Sequence, residues 1–243
     1  MCRMFSLYGD YRNDVDDLLN SLREVSRRDP LRSDEEGHPI SHNDGWGYVD
    51  LNSKYVDYKR YKSPIFKTKL PEFREQGFLM VHARKAATGE PLGLLNSHPH
   101  HKSTPEYDLY LCHNGSYDKE KIAALLGESN IRSQTDSEFF LSYIASRNGS
   151  IEEKIRNAID ATVEKEFLKT TNNIMLLSVD KDTEKVNLYY YSDSRNPSEY
   201  TTLYYAETKK WKGVFSSSIT LSKFFPKKLK IKKVPMRTLF ELR

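Results

Sequence analysis

After Asn13, the apolar residues Val15, Leu18, Leu19, Leu22 and Val25 recur at helical spacing, and this period predicts a helix that opens at Asn13. Residues 4–8 before it read as a short strand. The stretch 30–43 is polar and contains Gly37 and Pro39, so it reads as a mobile loop; lying just before a glycine-rich cluster, it is a candidate lid. Short, evenly spaced apolar runs at 45–49, 55–61, 77–82 and 107–112 predict strands of antiparallel sheets. Helices are predicted over 119–126, from 135 onward and over 150–167. The last two begin with the Thr/Ser-x-x-Glu capping pattern, Thr135 with Glu138 and Ser150 with Glu153. Strands return at 174–179, 186–191, 202–206, 213–216 and 229–234. Strands, then helices, then strands predict helices packed on sheets. No linker or repeat divides the chain, so one domain over 1–243 is expected.

Composition narrows the class. With 37% hydrophobic and 30% charged residues, 16 Tyr and 11 Phe, the 243-residue chain can bury a full core and is not of the disordered type. No apolar run approaches the ~20 residues of a membrane span and the N-terminal apolar stretch is short for a signal peptide, so a cytoplasmic protein is expected. The two cysteines, Cys2 and Cys112, are expected to be reduced thiols. The net charge of +4 is uneven: residues 206–243 hold nine Lys and two Arg against Glu207 and Glu241. A basic end suits nucleic acid or an acidic partner. However, Leu229 and Ile231 alternate with lysines, as on an edge strand whose charges discourage aggregation. Lys209, Lys210, Trp211 and Lys212, with Phe224 and Phe225 before Lys227 and Lys228, show faintly the basic-aromatic interleaving of single-strand binders. A non-catalytic binding module is therefore the reading from another class, with nucleic acid disfavoured as the main partner.

The candidate chemistry begins at Cys2. Removal of Met1 would leave a thiol and a free α-amine on one residue, and an amine titrating near ~8 can take the thiol's proton directly or through a water. Taken alone, a cysteine at position 2 reads more simply as a start-codon neighbour, and only the rest of the chain overturns that. Four polar clusters follow that a core does not need: Asp44-Gly45-Trp46-Gly47-Tyr48, His82-Ala83-Arg84, Asn96-Ser97-His98-Pro99-His100 and Cys112-His113-Asn114-Gly115. Thr135-Asp136-Ser137-Glu138 is a fifth. An Asn-Gly pair ending a strand can aim one side-chain donor and one backbone donor at a point, but it is also the strongest short hairpin signal. Arg84 suits a carboxylate or a surface ion pair. Asp136 suits an ammonium group or the first turn of a helix. Five of the seven histidines fall between His82 and His113, but no recognised zinc spacing such as H-E-x-x-H accompanies them, and no metal is expected.

In this order, behind Cys2, the five clusters resemble the class II glutamine amidotransferases, whose glutaminase domain belongs to the N-terminal nucleophile hydrolases. The resemblance spans roughly residues 2–140. It implies an α+β, four-layer αββα sandwich of two antiparallel sheets. Cys2 would attack the side-chain amide of glutamine, with Asn114 and Gly115 forming the oxyanion hole. Arg84 would hold the substrate α-carboxylate, Asp136 its α-ammonium group, and His98 would shape the pocket. Trp46 between glycines resembles the Asp-Gly-Trp-Gly signature of the free-standing members, where close backbone approach would explain the glycines. The synthase-fused members usually have Gly after the nucleophile and Arg-Trp-Ala-Thr at the arginine, whereas this chain has Cys2-Arg3 and Arg84-Lys85-Ala86-Ala87-Thr88. The displaced Thr88 puts a hydroxyl contact to the carboxylate in doubt. The Cys-Arg start looks like the small free-standing proteins, including those that cleave other γ-glutamyl amides. The resemblance implies no cofactor. With no room for a second catalytic domain, an ammonia acceptor would be a separate enzyme.

Overall fold

The computed structural model describes residues 2–243; Met1, on whose removal the α-amine of Cys2 depends, lies outside the described residues. The chain runs β1 (Arg3–Gly9), α1 (Val15–Arg27), β2 (Trp46–Leu51), β3 (Val56–Tyr61), β4 (Gly77–Ala83), β5 (His100–Ser103) and β6 (Tyr107–Tyr117). It continues through α2 (Lys119–Leu126), α3 (Asp136–Ala145), α4 (Ile151–Glu164), β7 (Leu168–Asp180), β8 (Val186–Tyr191), β9 (Leu203–Glu207), β10 (Trp211–Ser216), α5 (Ser217–Thr220), β11 (Ile231–Lys233) and β12 (Phe240–Glu241). Two antiparallel sheets form. One has seven strands in the order β11-β9-β10-β1-β4-β2-β3, the other five in the order β12-β8-β7-β6-β5.

Strand alternation sorts the side chains into layers. Phe5 and Leu7 of β1, with Trp46, Tyr48, Leu79 and Val81, face α1 and meet its Val15, Leu18, Leu19, Leu22 and Val25. On the other side, Leu109, Leu111, Ile174 and Leu176 face α2, α3 and α4. Between the sheets lie Met4, Val49, Met80, Cys112, Met175, Leu177, Leu188 and Val214. The result is the expected αββα sandwich.

Several boundaries differ from the pattern, each for a local reason. α1 starts at Val15, and the side chain of Asp14 accepts a bond from the Trp211 indole (2.7 Å) rather than capping the helix. β6 and β7 are longer than their apolar runs because polar residues continue the ladder, Asn114 opposite Asn173 and Gly115 opposite Asn172. The Asn-Gly pair is thus neither a strand end nor a hairpin turn but lies within β6, followed by a register shift before Tyr117. Cys112, expected at a strand end, is likewise mid-strand. β5, unforeseen, begins at His100 and pairs with β6. Both caps form, Thr135 accepting from Glu138 N and Ser150 from Glu153 N, but of these two only Glu153 returns a bond. β11 is indeed an edge strand, with Ile231 exposed beside its lysines.

Candidate active site

Two-residue steps along four strands convert the inter-sheet layer from apolar to polar. Met4 leads back to Cys2, Met80 on to His82 and Arg84, Cys112 to Asn114, and Met175 to Asn173. Pairing Met4 with His82, and Asn114 with Asn173, brings these residues to one end of the sandwich. The sequence-predicted residues Cys2, Asn114, Gly115, Arg84, His98 and Asp136 are gathered around this end, all but Gly115 buried.

The backbone N of Cys2 donates to Asn114 Oδ1 at 2.7 Å. That bond fixes the amide, because an N–H facing it requires the oxygen, and Asn114 Nδ2 is left buried without a partner. Cys2 is only 7% exposed, and its thiol packs against the chain. It meets the Lys85 backbone, accepting from the N–H (3.4 Å) and approaching the carbonyl oxygen (3.6 Å). Asp44 holds this segment in turn: its Oδ2 accepts from Ala86 N at 2.9 Å. Thr88 is exposed, beyond reach of such packing.

Gly115 has no room for a side chain, since a Cβ there would lie 1.6 Å from the Thr171 carbonyl oxygen. The glycines around Trp46 are explained by close approach as expected. A Cβ on Gly45, which has φ +111°, would meet Ser97 Oγ at 2.2 Å, and one on Gly47 the His98 carbonyl oxygen at 2.5 Å. Trp46 itself stacks on Tyr61 with centroids 4.6 Å apart and belongs to the outer core.

Arg84 is buried and its Nη1 has no hydrogen-bond partner; among the described residues no carboxylate lies within ion-pairing distance of it. A buried guanidinium with an open donor suits an incoming carboxylate. Asp136 lies in the first turn of α3, the helix position expected of it. Its oxygens accept from Tyr117 N (2.8 Å) and from Ser137 N (2.7 Å) and Oγ (3.1 Å). It therefore clamps the strand just past Gly115. Burial pushes its pKa up, opposed by those donors.

His98 stacks on His82 at 4.1 Å and meets His100 edge-on at 4.3 Å, with both of its ring nitrogens unpartnered. His82 Nε2 reaches the His113 carbonyl at 3.1 Å, His113 Nδ1 meets Ser137 Oγ at 2.8 Å, and His100 Nε2 meets Thr135 Oγ1 at 2.9 Å. Burial lowers all four, His82 and His113 to about 3 and His98 and His100 well below the usual value. They are neutral packing groups at pH 7. Among the described residues no group of three or more His, Cys, Asp or Glu is arranged to hold a metal ion. Burial pushes the Cys112 thiol far above its usual value, with Cys2 nearby adding to the effect.

A groove of about 760 Å³ borders the site, lined by Arg32, Asp34, Glu36, Lys85, Thr88 and Tyr200. Its far wall is the 30–43 stretch. The tip of that stretch is exposed, but its base is bolted down by His42, whose N donates to the Ser26 carbonyl and whose Nε2 meets Asp29. Sequence reasoning missed several residues here: Asp29, His42, Asn172, Asn173 and Glu90. Glu90 is partly buried, has Oε2 unpartnered and pairs with Lys119 at 3.3 Å. None of the five belongs to a recognisable short motif.

No family model matches the chain, and no curated protein sequence matches it. Among solved structures it is similar to the allosteric regulatory enzyme of purine biosynthesis, with 15% identity and a TM-score of 0.66 over 99% of this chain and 46% of that one. The chain thus spans a little under half the length of that enzyme. It is also similar to a predicted glutamine amidotransferase from Pseudomonas aeruginosa PA01, with 14% identity and a TM-score of 0.47 over 99% of this chain and 97% of the other. The first likeness concerns the fold, the four-layer αββα sandwich of the N-terminal nucleophile hydrolase fold.

Proposed function

We propose that residues 1–243 form one glutamine amidotransferase domain that releases ammonia from glutamine through a thioester on Cys2. Removal of Met1 frees the amine, which takes the thiol proton directly or through a water, and the thiolate attacks the side-chain amide carbon. The developing oxyanion sits on Asn114 Nδ2 and the Gly115 N–H. The amine returns its proton to the leaving nitrogen, ammonia departs, and water attacks the thioester to release glutamate. Arg84 binds the substrate α-carboxylate, Asp136 its α-ammonium group, and His98 walls the pocket. The released ammonia goes to an acceptor enzyme on a separate chain.

The observation that carries this reading is the Cys2 N to Asn114 Oδ1 bond of 2.7 Å, which leaves Nδ2 of the same amide as an unpartnered buried donor. Intact-mass measurement together with a glutamate-release assay tests it. Protein lacking Met1 should release glutamate from glutamine, and protein retaining Met1 should not. Full activity in Met1-retaining protein would refute the mechanism. Much faster hydrolysis of a γ-glutamyl peptide than of glutamine would replace the substrate.

A further inference from the structure

We infer that Arg3, seated on Asp29, is a positioning residue for the nucleophile: its buried guanidinium holds the carbonyl of Cys2 and keeps the end of β1 from fraying. This rests on the reading of Cys2 as the nucleophile. Near the nucleophile β1 keeps β4, as far as Arg3–Ala83, but loses its other ladder partner, because pairing with β10 ends at Phe5–Phe215, and the N of Met4 is taken over by Ser216 Oγ at 3.1 Å. Chain ends without such support are poorly ordered. Beyond Met4 the fixed points of Cys2 are its N on Asn114, its thiol on Lys85 and its carbonyl, which accepts from Arg3 Nη1 at 3.1 Å.

The Arg3 side chain is built for that task. Alternation points it to the α1 side of the sheet, where it is fully buried. Nε donates to Asp29 Oδ2 at 2.6 Å, Nη1 also donates to the Tyr200 carbonyl at 3.2 Å, and the guanidinium lies 3.7 Å from the centroid of the Tyr200 ring. Asp29 is itself saturated, accepting from Ser218 Oγ (2.7 Å), Leu31 N (3.0 Å) and His42 Nε2 (2.8 Å). Burial alone would raise the Asp29 pKa, but the His42 bond, the Arg3 charge and the Ser218 bond together hold it well below the ordinary carboxylate range. Burial keeps His42 neutral, with a pKa lowered to about 4. The cluster is therefore one cation, one anion and one neutral donor.

A buried ion pair is a weak source of net stability compared with apolar residues of the same volume. What this one supplies is a rigid fork, with one edge fixed on Asp29 and the other on the Cys2 carbonyl. A lysine cannot reproduce it, having one point charge in place of two directed edges. The same cluster ties the end of α1, the base of the 30–43 stretch and α5 to the nucleophile.

The test uses mature full-length protein bearing Arg3→Lys. Two quantities are read beside thermal melting: kcat and KM for glutamine, and the rate of Cys2 alkylation by iodoacetamide followed by mass spectrometry. In folded Arg3→Lys, kcat should fall ten-fold or more with KM within about two-fold, and Cys2 should alkylate several-fold faster because the end of the strand is loosened. Ser218→Ala, which removes one donor from Asp29 and leaves every charge in place, should shift both in the same direction by a smaller step, and it decides the matter if Arg3→Lys does not fold. Unchanged kcat and alkylation in a folded variant would overturn the proposal, as would a raised KM with unchanged kcat. If wild-type protein released no glutamate while alkylation still accelerated in the variants, the proposed function would fail and the positioning role would stand.

Discussion

The space between the two sheets has two ends of opposite character built on the same strands. At one, Met4, Val49, Met80, Leu177, Leu188 and Val214 interdigitate as an ordinary core. At the other, two residues further along each strand, Cys2, His82, Arg84, Asn114 and Asn173 crowd together, and polar atoms on His82, His98, Arg84 and Asn114 are left without partners. The apolar end is satisfied internally and the polar end is not. Burying an unpaired polar group costs free energy, so the first end reads as the part that holds the fold and the second as the part that works.

This comparison can be broken at either end. The largest expected effect is at Cys2: Cys2→Ala should retain the melting temperature within a few degrees and lose all measurable glutamate release, whereas residual turnover at wild-type level would place the nucleophile elsewhere. Asn114→Ala should lower kcat by about 10²–10³ with little change in KM, since its free donor matters most when the oxyanion forms. Arg84→Ala should do the reverse. Losing a charge-assisted contact of about 1.5–3 kcal/mol raises KM roughly ten- to a hundred-fold, and exchange of these two kinetic signatures would show that the donors are misassigned. At the apolar end, Met80→Ala should destabilise by about 2–5 kcal/mol in denaturant titration while leaving kcat within a few-fold. A catalytic collapse there without loss of stability would erase the distinction.

The buried histidines give the comparison a pH axis. The folded-state pKa values of His42 (about 4) and of His82 and His113 (about 3) lie below the ordinary 6.5. The unfolded chain therefore binds more protons as pH falls. The stability they contribute is present in full above about 6.5 and drains away as pH drops toward 4 and below. Melting temperature against pH should show this decline, and His42→Gln, which keeps a donor for Asp29 without titrating, should flatten it slightly. An unchanged profile would mean that His42 is not held neutral by burial.

Much of this was legible in the sequence, because helix and strand periods report directly which face is buried. α2 and β8 lie where their patterns place them, as do the apolar positions of α1. Two of the quoted motifs also meet directly, through the Cys2 N to Asn114 Oδ1 bond. What escaped notice was polar structure inside strands. Asn114 and Gly115 read as the end of a strand or a turn because their local chemistry is that of a turn, and pairing with Asn172 and Asn173, nearly sixty residues away, keeps them extended within β6. The seat of Arg3 was equally hidden, since Asp29, His42 and Ser218 meet only through the tertiary fold.

The alternation of β1 also makes the direction of the Cys2 thiol a matter of parity. Cys2 faces the polar interior because it is two residues from Met4, and Arg3 faces α1 because it is one. Inserting a single alanine between Arg3 and Met4 would keep every functional group in the chain and turn the thiol toward the α1 side of the sheet, away from Asn114. An engineered start for this protein can thus vary in what precedes the cysteine, but the count from the cysteine to Met4 must stay even for the thiol to face the polar layer.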